Sequence, residues 1–89
     1  MQETIPNTIK NNIIRLWLTH HYLRKVGKKY PVFFSKLMEE ITDNLNEIRV
    51  MKERYVLNKK FEVIALDMNV DPRYVFRLHR QAIDKLISL

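Results

Sequence analysis

The chain has 89 residues, 46% of them hydrophobic, one glycine and no cysteine, and its 16 Lys+Arg outweigh 10 Asp+Glu for a formal net charge of +6. That length allows one small domain, and the missing cysteine excludes disulfides and thiolate metal centres. A chain this short buries only about 60% of its unfolded surface, so pairing with a second copy would help it.

The charge is uneven. Residues 1–31 carry six basic side chains and one acidic, residues 32–58 four and five, and residues 59–89 six and four. An excess of cations at both ends, with no signal peptide and no long apolar run, points to nucleic acid rather than a membrane, and to the cytoplasm. One glycine and three prolines predict an all-α chain with few turns.

In chain order, residues 1–6 read as a loose start. Asn7 can cap a helix that runs to about Val26, where Gly27 would end it in the left-handed conformation. Ile9, Ile13, Leu16, Trp17 and His20 fall at helical spacing, with Ile14, Leu18 and Tyr22 beside them. So broad an apolar stripe suits a central core helix, or one that also meets a partner subunit. Lys28 and Lys29 open a basic connector, and Pro31 keeps Tyr30 out of the helical region. A second helix is expected from about Val32, with Phe34, Leu37, Met38, Ile41 and Leu45 repeating at three and four; Phe33-Phe34 and Trp17 read as core. Asp43 or Asn44 can cap a fresh start, and Glu47, three residues after Asn44, completes a capping-box pattern. The segment 45–57 should bury Leu45, Ile48, Met51 or Lys52, and Tyr55, and Asn58-Lys59-Lys60 reads as a loop.

The last thirty residues are more specific. A short helix fits residues 61–69, with Ile64, Ala65 and Met68 inward, and the small Ala65 lets another helix approach. Asn69 tolerates the left-handed turn, Val70 can plug that turn into the core, Asp71 can cap the next helix and Pro72 suits its first position. Helix, tight turn, helix is the helix-turn-helix pattern. On the wheel of the final helix, about 72–88, Val75, Leu78, Ala82 and Leu86 share one side, with His79 and Ile83 next to them. Arg73, Arg77 and Arg80 lie opposite, flanked by Tyr74 and Gln81, and no acid interrupts that face before Asp84. Arginine can bond a guanine edge or a phosphate, glutamine an adenine edge, and a helix N-terminus favours phosphate. The plainer reading is a solvated face, with Arg80 and Asp84 as a surface ion pair.

KKFEVIALDMNVDPRYVFRLHRQAIDKL resembles the DNA-binding helix-turn-helix in the fourth conserved region of bacterial sigma factors. It looks more closely like the short sigma-like regulators of phages and prophages in low-GC Gram-positive bacteria. The likeness rests on Arg54-Tyr55, Phe61-Glu62, Ile64-Ala65, Met68, Val75, Leu78-His79, Ala82 and Lys85-Leu86, and covers about residues 45–89. Asn69 stands for the usual glycine, Asp71 for the usual serine, and Val63 for a common charged residue. The helical segments add up to a small bundle of four or five helices ending in a helix-turn-helix, and the resemblance implies sequence-specific binding of double-stranded DNA and control of transcription in a bacterial host cell. Base contacts would come from Arg73, Tyr74, Arg77, Arg80 and Gln81. Backbone contacts would come from Lys59 and Lys60, with Lys28 and Lys29. Residues 7–44 would brace the reading part, 45–89, and pair two copies.

Two other readings stay open. The same shape could dock on RNA polymerase or inhibit a host protein, or it could be the DNA-recognition subunit of a phage packaging terminase. Enzymatic chemistry is not expected. His20-His21 and Glu39-Glu40 are neighbours on helices and point about 100° apart. No glycine-rich phosphate loop or nucleophile–base arrangement is visible, and no cofactor or metal is implied.

Overall fold

The reason for the single glycine is a helix crossing. A computed structural model describes residues 20–88, and those residues are helical apart from short connections, with no strand among them. Residues 20–29 lie in helix α1, and Gly27 is buried inside it rather than ending it. It has no positive φ, and a Cβ there would collide with the backbone carbonyl of Tyr55. The expected left-handed cap is thus replaced by close approach of two backbones, which only glycine permits. The expected helix start at Asn7, and Trp17 with the other apolar positions before His20, lie outside the described residues.

Tyr30 alone separates α1 from α2 (Pro31–Ile41), and Pro31 sits in the first turn, where a missing N–H costs nothing. Phe34 and Met38, four apart, are fully buried, while Phe33 is 61% exposed, so only one member of that aromatic pair is core. Thr42 leaves the helix in extended conformation, and Asn44 caps α3 (Leu45–Tyr55) by accepting from the N–H groups of Asn46 and Glu47.

The expected capping box does not close. The Glu47 carboxylate turns inward, 2% exposed, and accepts from the Thr42 hydroxyl at 2.9 Å and from Lys85 Nζ at 2.9 and 3.1 Å. Leu45, expected in the core, is 78% exposed. The register is set instead by Glu47, Val50, Met51 and Tyr55, all buried.

Asn58, at φ 57°, reverses the chain after α3, and α4 (Phe61–Met68) follows. Its end is a Schellman motif: Asn69 is left-handed at φ 58°, its N–H donates to the Leu66 carbonyl, and that of Val70 to the Ala65 carbonyl. Asp71 then caps α5 (Pro72–Ile87) through the Arg73 N–H at 2.8 Å, with Pro72 next.

Two apolar clusters fill the interior. Leu23, Phe34, Met38, Met51, Tyr55, Ala82 and Ile83 join α1, α2, α3 and α5, while Val50, Ile64, Ala65, Val75 and Leu78 join α3, α4 and α5. Helices α3 and α5 enter both, so they are the spine that holds the turn between α4 and α5 against the rest. No helix among the described residues is long and apolar enough to cross a membrane.

Candidate nucleic-acid interface

Three residues, Asn69 to Asp71, connect α4 to α5. Each acts locally: Asn69 supplies the left-handed step, half-buried Val70 packs against the cluster of Ile64 and Ala65, and Asp71 satisfies an orphan N–H at the start of α5. The Asp71 carboxylate also accepts from the Arg73 guanidinium at 3.3 Å, and these bonds hold its pKa below the ordinary carboxylate value.

Helix α5 is strongly two-sided. Val75, Leu78, Ala82 and Ile83 are buried, and Leu86 is half-buried. Arg73, Arg77, Arg80 and Gln81 are exposed. The Arg80–Asp84 ion pair does not form, and neither Arg77 nor Arg80 has an acidic partner among the described residues. Arg73 alone of the three is engaged, by Asp71. Tyr74 is half-buried on the flank toward α3, where its hydroxyl accepts from the Asn46 amide at 3.4 Å. On the other flank Phe76, 48% exposed, lies on the Phe61 ring at 5.0 Å between centroids.

The lysines divide. Lys60 is exposed at the mouth of α4. Lys59 is committed to the fold: its ammonium donates to Glu53 at 3.1 Å and Asp67 at 2.9 Å, tying the end of α3 to α4. The hydrogen bonds it donates to Asp67 and Glu53 raise its pKa, and a phosphate would have to compete with both carboxylates. Lys29 points its ammonium at the Tyr30 ring, 5.6 Å from the centroid, whereas Lys28 lines a groove beside α3.

That groove escaped the sequence reading. Its cations are Arg24, Lys25, Lys28 and Arg54, and its volume is about 540 Å³. The signal was visible in part, because Arg24, Lys25 and Lys28 share one helical face. Their facing wall comes from a residue twenty-six positions beyond Lys28, and only the fold brings it there.

Deeper in, the Tyr55 hydroxyl lies 2.6 Å from His20 Nδ1 and 2.6 Å from His79 Nε2. Burial lowers both histidine pKa values, aided by Arg54 and, for His79, by His20; that of His79 falls to about 4. Burial raises the Tyr55 pKa above its ordinary value. The one hydroxyl hydrogen can serve only one imidazole nitrogen, so at least one ring presents an N–H to the oxygen. This is a structural lock between α1, α3 and α5.

Comparison with protein-family models, with curated proteins and with solved structures finds no significant match for this chain.

Proposed function

We propose that the chain is a sequence-specific double-stranded DNA-binding regulator of transcription, of the phage sigma-like kind, and that α5 reads the major groove. The observation that carries this reading is the exposed face of α5. Directly after a three-residue turn, Arg77, Arg80 and Gln81 are exposed among the described residues, while the opposite side of the same helix is anchored in the core. A guanidinium face without carboxylate partners is ready for base edges or phosphates, and its helix N-terminus adds a partial positive charge. Lys60, exposed at the mouth of α4, would supply a backbone contact. Two copies would set two such helices one duplex turn apart, ~34 Å, and call for a palindromic site.

Selection from a random duplex library, followed by gel shifts over a salt series, tests the proposal. A recovered motif that needs Arg77 supports it, and no affinity for any duplex at low salt sinks it.

One observation favours a second reading, docking on a protein such as RNA polymerase or another host protein. The outer face of α4 carries Leu66, 79% exposed, and Val63, 41% exposed. Apolar side chains there suit a protein surface better than phosphates. Nuclease-treated lysate separates the two, because a protein partner survives the treatment and a nucleic-acid partner does not.

A further inference from the structure

The groove beside α1 holds more positive charge than the fold can use. Along α1, His21, Arg24, Lys25 and Lys28 recur at spacings of three, four and seven and form one wall. Arg54 and Asn58, from the end of α3 and the turn after it, form the other. Close approach at Gly27 brings the walls together. Among the described residues no carboxylate lines the groove, and none of its four lysine and arginine side chains has an ion-pair partner.

Arg54 is held rigidly in its wall. Its guanidinium is pinned, with Nη1 donating to the Lys59 carbonyl at 3.0 Å and Cζ 4.7 Å from the centroid of Phe61. Its Nε is buried, with no partner among the described residues, so Arg54 meets the groove through the rest of its guanidinium.

Cations near helix C-termini are common because the helix dipole favours them there. The ends of α1 and α3 supply only about half a negative charge each, roughly one in all, against four full positive charges. An excess of about three charges remains, which matches an anion with several charges and exceeds a single carboxylate.

We propose that this groove binds a ligand through several phosphate groups. Its volume of about 540 Å³ falls in the usual range for small-molecule sites, roughly 300–1,000 Å³. Arg24 supplies a forked donor that matches phosphate oxygens, while Arg54, Lys25 and Lys28 add positive charge. The Tyr55 ring is 2% exposed and committed to the core, so recognition rests on phosphates and not on stacking a base. The phosphates have two possible sources, a free polyphosphate of nucleotide size or the backbone of a nucleic acid.

Isothermal titration of the full chain tests the site, with inorganic tripolyphosphate, ATP and a short DNA duplex as separate probes at low and at physiological ionic strength. Tripolyphosphate is expected to bind saturably, one per chain, and ATP within a few-fold of it. Arg24→Gln and Lys28→Gln change exposed positions and should each weaken tripolyphosphate by roughly tenfold, the scale of one charged hydrogen bond. Lys36→Gln, exposed on α2 and outside the groove, should leave it unchanged. Absence of saturable binding to the wild-type chain overturns the proposal, as does an equal loss with Lys36→Gln. Arg54→Gln should abolish binding, and the two exposed variants decide the matter if that chain fails to fold. A duplex that displaces tripolyphosphate identifies backbone phosphates as the source, and simultaneous binding of both identifies a free ligand. A duplex that does not bind at all removes the DNA reading and leaves this one standing, since tripolyphosphate is measured without DNA.

Discussion

Tyr55 and His79 share a hydrogen bond of 2.6 Å that joins the end of α3 to the middle of α5, and His20 of α1 meets the same hydroxyl from another side. The three rings make helix packing depend on both imidazoles staying neutral. The His79 pKa is lowered to about 4 in the folded chain, chiefly by burial, and returns to about 6.5 on unfolding. Between those values the unfolded chain holds the extra proton, so stability rises with pH across that window and is lost as pH falls through it. The loss should approach 3 kcal/mol, about what two and a half pKa units are worth. Urea denaturation at intervals from pH 7.5 to pH 4 reads it, and His79→Gln should flatten the curve over this window. Tyr55→Phe should cost about 1–3 kcal/mol at neutral pH by stripping the shared partner from two half-buried rings.

Lys85 makes a comparable tie at the other end of α5. Its ammonium reaches both Glu47 oxygens and the Thr42 hydroxyl. Lys85 itself is 45% exposed by side chain, but Glu47 is 2% exposed and cannot turn to water. Lys85→Met should therefore cost about 3 kcal/mol, the low end for stranding a buried charge. Adding Glu47→Leu should restore most of that loss, because no carboxylate then remains to be desolvated. Chemical denaturation of both single variants and the double variant measures the coupling. An additive double variant would show that the carboxylate does not depend on the ammonium.

Gly27→Ala sets two physical effects against each other. Helix propensity favours alanine by about 1 kcal/mol. The added methyl would meet the Tyr55 carbonyl and Cβ, and the backbone part of that contact cannot yield cheaply. Overpacking of this kind costs about 1–3 kcal/mol or more. A fall in thermal midpoint is expected, and a rise would mean that α1 does not approach α3 this closely.

The contrast between Gly27 and Asn69 explains which parts of the fold were legible in the sequence. Asn69, Val70, Asp71 and Pro72 act on their nearest neighbours, and their chemistry states a helix end and a helix start without outside help. The outward arginine face of α5 follows from the same local periodicity. Gly27 has two local meanings, a cap or a close approach, and the choice lies with Tyr55, twenty-eight residues on. Glu47 likewise fits a capping box until Lys85, thirty-eight residues away, offers its carboxylate a better partner. With Glu47 turned inward, Leu45 is carried to the surface. The basic groove is hidden for the same reason, since neither wall is a site by itself.

The DNA reading makes a prediction in which two side chains part company. Arg77 is exposed on α5, without an ion-pair partner among the described residues, and Lys60 is exposed before α4. Neither substitution should shift folding stability by more than about 0.5 kcal/mol, so any change in binding reports contact with DNA. Arg77→Ala should cost about 1–3 kcal/mol on the selected site and relax the preference at one base position, as expected for a lost bidentate contact. Lys60→Ala should weaken all sequences alike and reduce the slope of log K against log salt by about one. Gel shifts on the selected site and on single-base variants, each over a salt series, separate the two patterns. If both variants lose affinity uniformly, α5 touches phosphates and does not read bases. Sequence preference would then have to arise from the shape of the duplex.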